Sequence, residues 1–102
     1  MTEKQITLLN ETLDYLNNYP AEAKAMIMSE TGVVLGTKTT VMCITLTSGW
    51  EIVGMSSPVD KNDFNNQLGM ELARKSCYEQ LLKYLEERKV LEVEEEVTET
   101  QV

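Results

Sequence analysis

The chain has 102 residues, a length typical of one domain, and it carries 17 acidic against 9 basic residues for a net charge of −8. That balance argues against binding along a nucleic-acid backbone, which requires clustered Lys and Arg to displace counterions. The acidity instead favours a partner whose surface is basic. It is also consistent with a small protein whose negative charge only keeps it soluble.

The N-terminus shows no basic region followed by an apolar block, and no run of about 18 apolar residues occurs that would span a membrane. We therefore expect a cytoplasmic protein. In that compartment Cys43 and Cys77 should be reduced thiols that pack as small core residues.

The first predicted element is a helix over residues 3 to 18. Thr2 and Gln5 have the spacing of a capping box at its start, and Pro20 breaks the helix after Tyr19. Its apolar side chains recur at steps of three and four, at Ile6, Leu9, Leu13 and Leu16. A second helix is predicted from Ala21 to about Glu30, ending at Thr31-Gly32, with its inward face formed by Ala23, Met26 and Ile27.

The run from Lys38 to Ser57 predicts a β-hairpin, because two β-rich stretches meet at the turn residues Ser48-Gly49. With that two-residue loop, Ile44 faces Val53 across the hairpin. One face then carries Met42, Ile44, Leu46, Val53 and Met55, and the other carries Val41, Cys43, Trp50 and Ile52 among threonines.

Both faces of this hairpin are apolar, and two strands alone are only marginally stable in water. Two arrangements would cover the faces. In the first, the N-terminal helix packs on one face and the last helix on the other. In the second, another subunit packs there, which predicts a homodimer.

A long helix is predicted from about Asn65 to Lys89, with an apolar face formed by Leu68, Leu72, Leu81, Leu82 and Leu85. Gly69, Ala73 and Cys77 are spaced by four and form a stripe of small side chains, which lets a helix lie close to a neighbour.

These elements predict an α+β fold in the order α-α-β-β-α, with the hairpin packed against helices. Residues 1–89 would form the single domain. Residues 90–102 contain five glutamates and no base, and this composition predicts a flexible acidic tail.

No catalytic signature occurs in the chain. The absence of histidine excludes Ser-His and Cys-His pairs as well as histidine metal sites, and two cysteines are too few for a four-cysteine zinc site. Asp60, Asn62 and Asp63 lack the central Gly and closing Glu of a calcium loop, so they are expected to cap a helix. We expect a protein that is not an enzyme and that has no catalytic residue, metal or cofactor.

The residues predicted to bind a partner are an aromatic anchor and a set of carboxylates. Trp50, the only tryptophan, directly follows the hairpin turn, where it would either cap the helices or, if exposed, anchor an interface. The acidic candidates lie at the end of the last helix and in the tail, where they would either be solvated or imitate the charge of a nucleic-acid backbone: Glu86, Glu87, Glu92, Glu94, Glu95 and Glu96.

Several short motifs follow one another in the second half of the chain: a strand with Cys43, the tip Ser48-Gly49-Trp50, Gly54-x-Ser56, Asp63-Phe64, and a helix that opens with Gly69 and Ala73. Their order resembles a family of small phage and prophage accessory proteins, first named after early-region gene products of enteric phages. The resemblance covers about residues 22 to 88. The family pattern has Asn in place of Ser48 and usually Phe in place of Trp50, changes that preserve the turn.

The resemblance implies a phage or prophage origin, hence the cytoplasm of a host cell, and it implies no catalytic residues. By analogy with small acidic phage inhibitors, including anti-CRISPR proteins, the leading hypothesis is a non-enzymatic counter-defence protein. It would inhibit a host defence nuclease by acting as a DNA mimic on its basic nucleic-acid or PAM-reading surface, and a Cas9-type effector is the first guess.

Two alternatives remain. One is an oligomeric module that sequesters a small nucleotide signal, which the scarcity of Lys and Arg disfavours. The other is a phage assembly or regulatory adaptor that binds through the second apolar sheet face.

Overall fold

The computed structural model describes the backbone of residues 1–101 and the side chains of residues 1–88. A three-stranded antiparallel sheet packs against helices, so the predicted α+β class is confirmed. A short 3-10 turn at Lys61–Asp63 separates the last strand from the long helix. The elements are α1 (Glu3–Asn17), α2 (Ala21–Lys24), β1 (Ile27–Leu35), β2 (Thr39–Leu46), β3 (Glu51–Ser56) and α3 (Asn66–Gln101).

Strand β1 is the main departure from the sequence-based prediction. The second helix, predicted to reach Glu30, ends after one turn at Lys24, and Thr31-Gly32 lies in the middle of a strand rather than at a helix end. The segment is rich in β-branched side chains, which are stiff at χ1 and fit a pleated sheet better than a helix. β1 pairs antiparallel with β2, giving the strand order β1-β2-β3.

The predicted hairpin forms, but its loop is one residue longer than expected. The amide of Leu46 donates to the carbonyl oxygen of Trp50 at 2.8 Å, which leaves Thr47, Ser48 and Gly49 as the loop. Gly49 adopts a φ of 92°, a conformation that glycine tolerates and that three-residue hairpin loops require.

The longer loop changes the pairing of β2 with β3. Ile44 pairs with Ile52, and the predicted pairing of Ile44 with Val53 is wrong. A one-residue change of register turns a strand over, because side chains alternate between the two faces. Ile52 is therefore buried, whereas Val53 and Met55 are 56% and 60% exposed.

Helix α3 covers one face of the sheet, called the inner face below. The predicted stripe of small side chains makes this contact: Ala73 and Cys77 are fully buried, and a Cβ on Gly54 would lie 2.7 Å from the carbonyl oxygen of Ala73. Strand and helix backbones thus meet directly at Gly54. Around that contact the core is formed by Met42, Ile44, Leu46, Ile52 and Leu81.

Helix α1 packs against α3. The hydroxyl of Tyr19, just after α1, donates to the carbonyl oxygen of Tyr78 at 2.8 Å, and the two rings lie 4.6 Å apart. The predicted capping box of Thr2 and Gln5 is confirmed. On the predicted apolar face Leu9 is buried, but Ile6 is 45% exposed.

Because α1 lies on α3, the arrangement in which α1 covers the second face of the sheet is wrong. We call this second face the outer face. Its apolar side chains are half-buried or exposed, and they are Val33, Leu35, Val41, Cys43, Val53 and Met55.

Helix α3 continues past the predicted domain boundary at residue 89, since its backbone is helical to Gln101. The side chains of residues 89–102 lie outside the described part of the chain, so the flexibility of the acidic tail stays a prediction. Within the part that the structure describes, no helix is both long enough and apolar enough to cross a membrane.

Candidate functional site

The hairpin tip brings Trp50 onto helix α3. Its indole stacks on the ring of Tyr84, with centroids 5.8 Å apart and planes 15° from parallel. The contact buries one face of the indole, yet 55% of Trp50 stays exposed. Trp50 thus caps the helix and also keeps an exposed aromatic surface, while its role as an interface anchor stays a prediction.

Arg88 extends this aromatic surface along the helix. Its Nη1 donates to the hydroxyl of Tyr84 at 3.1 Å, which places a guanidinium beside the stacked rings. Trp50, Tyr84 and Arg88 together are called the Trp50 patch below. Trp50 is predicted from the sequence, whereas Tyr84 and Arg88 are not. Tyr84 occurs on the predicted helix four residues before an arginine, the spacing of neighbours on one helix side, and this spacing was the signal that could have found them.

Carboxylates lie next to the Trp50 patch. Glu86 and Glu87 are exposed on the next turn of α3, whereas Glu51, which directly follows Trp50, lies on the outer face of the sheet and accepts from Cys43 there. Glu87, three residues beyond Tyr84, lies on the same side of the helix, whereas Glu86 points away from that side. The other predicted carboxylates, Glu92, Glu94, Glu95 and Glu96, have side chains outside the described residues.

The outer face of the sheet is a second exposed surface, and it is mostly uncharged. Val53 and Met55 on β3 share this face with Val33 and Leu35 on β1, which are 43% and 55% exposed. Glu51 lies at one end of this face. A monomeric protein rarely exposes a contiguous apolar surface without a use for it.

The two thiols occupy different environments. Cys77 is buried in the core, where loss of solvation raises its pKa to about 11, and its Sγ donates to the carbonyl oxygen of Met42 at 3.3 Å. Cys43, predicted to be a core residue, lies instead on the outer face. There a hydrogen bond to the carboxylate of Glu51 at 3.3 Å raises the pKa of the thiol. Both thiols are thus protonated at neutral pH.

A groove of about 780 Å³ lies between the first turn of α1 and the start of α3. Gln5 spans one side of it, donating from Nε2 to the carbonyl oxygen of Asp63 at 2.7 Å. Lys4 is the one base among its lining residues, against Glu3 and Asp63. This composition does not favour a phosphorylated ligand, which several cations would have to bind.

Comparison with known proteins identifies the family to which this sequence belongs. Residues 2–87 match the Phage protein (N4 Gp49/phage Sf6 gene 66) family. The match spans most of the chain, and the protein belongs to this family. It includes α1, which the motif-based resemblance had left outside. No curated protein and no solved structure matches the chain.

Proposed function

We propose that this phage-family protein acts without catalysis, by binding a basic surface of a host protein that handles nucleic acid, and that it thereby inhibits a host defence nuclease. The observation that carries the proposal is the Trp50 patch: a half-exposed indole stacked on Tyr84 of α3, with the exposed Glu87 on the same side of the helix. A Cas9-type CRISPR effector is the first target to test, in the cytoplasm of the host.

The exposed indole of Trp50 and the neighbouring carboxylate suit an arginine-rich partner. A guanidinium stacks on aromatic faces and pairs with carboxylates through its fork of donors, so Trp50 with Glu87 offers both kinds of contact. Cas9-type effectors read the DNA next to their target with arginines, which an acidic and aromatic surface would occupy. The net charge of −8 would speed the encounter with a basic surface.

The experiment measures cleavage by a purified Cas9-type effector with increasing amounts of the protein, at low and at high salt. We expect inhibition that weakens with salt, because exposed charges are screened over about 8 Å at physiological ionic strength. Trp50→Ala should raise the inhibitory concentration about tenfold or more, the cost of losing one interface anchor.

Two matched sets of four substitutions, each replacing a carboxylate by its uncharged amide, separate the role of the acidic tail from that of net charge. The test set, which should lose potency, is Glu92→Gln, Glu94→Gln, Glu95→Gln and Glu96→Gln. The control set makes the same change in net charge at exposed acids near α1, and it should keep potency: Glu3→Gln, Glu11→Gln, Asp14→Asn and Glu22→Gln. Equal loss in both sets, or no inhibition by the unmodified protein, would contradict the proposal for this target.

One observation favours a second candidate, a phage assembly or regulatory adaptor. The outer face exposes Val53 and Met55 on an otherwise folded body, as a protein interface does. For this candidate, Val53→Lys should abolish capture of a phage or host partner. Trp50→Ala, which leaves the outer face intact, should not affect that capture.

A further inference from the structure

The two edges of the sheet differ in length and in how far other parts of the chain cover them. The edge strand β3 is six residues long, and the side chain of Gln80 on α3 donates to the carbonyl oxygen of Val53 at 2.8 Å. Helix α3 also lies directly over Gly54 of this strand. The β3 edge is therefore short, and part of its backbone is already hydrogen-bonded to a side chain.

The β1 edge has none of these protections. β1 is nine residues long, most of its residues are exposed, and its sequence contains neither Lys nor Pro, two residues that often guard sheet edges. The one irregularity in its pairing lies at its start, between Ile27 and Ser29. Among the described residues, the outward-facing backbone donors and acceptors of the rest of β1 have no hydrogen-bond partner, so this part is a regular free edge.

The charge on β1 is also balanced. Its single charged residue is Glu30, whose Oε1 lies 3.5 Å from Nε of Arg74 on α3. In a chain of net charge −8, this strand is a place where a second equally acidic molecule meets little repulsion.

We propose that β1 pairs antiparallel with β1 of a second copy of this chain, about a two-fold axis near Thr31, to form a continuous six-stranded sheet. This register is self-complementary. Along the regular part of β1 it places Ser29 opposite Val33 and Glu30 opposite Gly32 of the other copy. On the outer face the two Thr31 side chains would meet at the axis, and Val33, which is 43% exposed in the single chain, would gain Ser29 of the other copy as a neighbour.

The rest of the fold is compatible with this dimer. Helix α3 lies mainly over β2 and β3, so it does not cover the β1 edge. In the dimer both outer edges would be β3 strands, whose carbonyl at Val53 is taken by Gln80. Association therefore closes at two copies instead of growing into a fibre.

The test is sedimentation equilibrium of the full chain and of two lysine variants. Thr31→Lys places two ammonium groups across the axis, and we expect it to raise the dimer dissociation constant by roughly tenfold or more. Val53→Lys is the matched control: it puts the same charge on the same sheet face but at the β3 edge, and it should leave the constant unchanged. Circular dichroism checks that both variants fold.

Cross-linking tests the register independently of those variants. Thr31 pairs with Cys43 within one chain, so Thr31→Cys is combined with Cys43→Ser to prevent an internal bond. Oxidation should then link two chains, whereas Val53→Cys with Cys43→Ser should not. A strictly monomeric protein would overturn the proposal, as would equal dissociation by both lysine variants or cross-linking through Val53→Cys alone.

Discussion

At the scale of single residues, Gly54 is a position where the fold leaves no room for a side chain. A Cβ there would lie 2.7 Å from the carbonyl oxygen of Ala73 and 2.8 Å from the amide of Cys77, both backbone atoms of α3. Gly54→Ala must push helix and strand apart, so we expect it to lower the free energy of unfolding by about 1–3 kcal/mol. Urea denaturation measures the change.

Gly32→Ala is the matched control for Gly54→Ala. It also lies on a strand, but its Cβ would meet the flexible side chains of Met70 and Met42, at 2.6 and 2.8 Å, which can move aside. The loss of stability should therefore be smaller than for Gly54→Ala. A larger loss of stability for Gly32→Ala than for Gly54→Ala would contradict the backbone contact at Gly54.

Cys43 gives a residue-scale prediction about pH. Hydrogen bonding to the Glu51 carboxylate, with burial and the negative charge adding to it, raises the pKa of the thiol. Removing that charge with Glu51→Gln should lower the pKa, increase the thiolate fraction at pH 8 to 9, and speed alkylation of Cys43 by iodoacetamide. Glu3→Gln, far along the chain on α1, should leave the rate unchanged.

At the scale of elements, one side chain joins α1 to the segment before α3. Gln5 accepts from the amide of Thr2 through Oε1 and donates to the carbonyl oxygen of Asp63 through Nε2. Gln5→Glu keeps the first contact, since glutamate also completes a capping box, but it removes the donor for the second. We expect unchanged helix content, with faster hydrogen exchange of amides in residues 60–65.

Thr2→Ala is the control for Gln5→Glu. It removes the cap hydroxyl that accepts from the Gln5 amide at 3.2 Å, and it should destabilise α1 by about 1 kcal/mol. Exchange should then increase in the first turn of α1. If both variants changed the exchange rates of the same amides equally, the helix cap at Thr2 and the hydrogen bond from Gln5 to Asp63 would not be separate contacts.

The elements also show how far the sequence alone determines this fold. The capping box, the break at Pro20 and the small-residue stripe of α3 were predicted correctly, because each depends on local chemistry or on spacing along one helix. Strand β1 was not, since Ala23, Met26 and Ile27 continue a helical spacing and Gly32 resembles a helix end. β1 forms because β2 offers it a pairing partner, which is a tertiary effect.

The candidate site was predicted in part for the same reason. Trp50 stood out by its position after a turn, but its contact with Tyr84 depends on where α3 crosses the hairpin tip. The outer face was assigned to the wrong β3 residues, because a two-residue loop and a three-residue loop place opposite side chains of β3 on a given face. A single loop residue thus decided whether Val53 was predicted in the core or in solvent.

At the scale of the whole molecule, charge is concentrated toward the C-terminus. Residues 90–102 hold five of the 17 acids and no base, so deleting them changes the net charge from −8 to −3. If the proposed basic partner is recognised mainly through long-range electrostatic attraction, the truncated chain should bind more slowly and with a weaker dependence on salt. If the Trp50 patch supplies most of the affinity, dissociation should change little.

Surface plasmon resonance of the full chain and of the chain ending at Lys89, on an immobilised Cas9-type effector at several salt concentrations, distinguishes these contributions. We expect the truncation to lower the association rate and Trp50→Ala to raise the dissociation rate, because long-range charge steers encounter while buried contacts hold the complex. A truncation that leaves both rates unchanged would place the whole interface on residues 1–89 and remove the tail carboxylates from the proposed site.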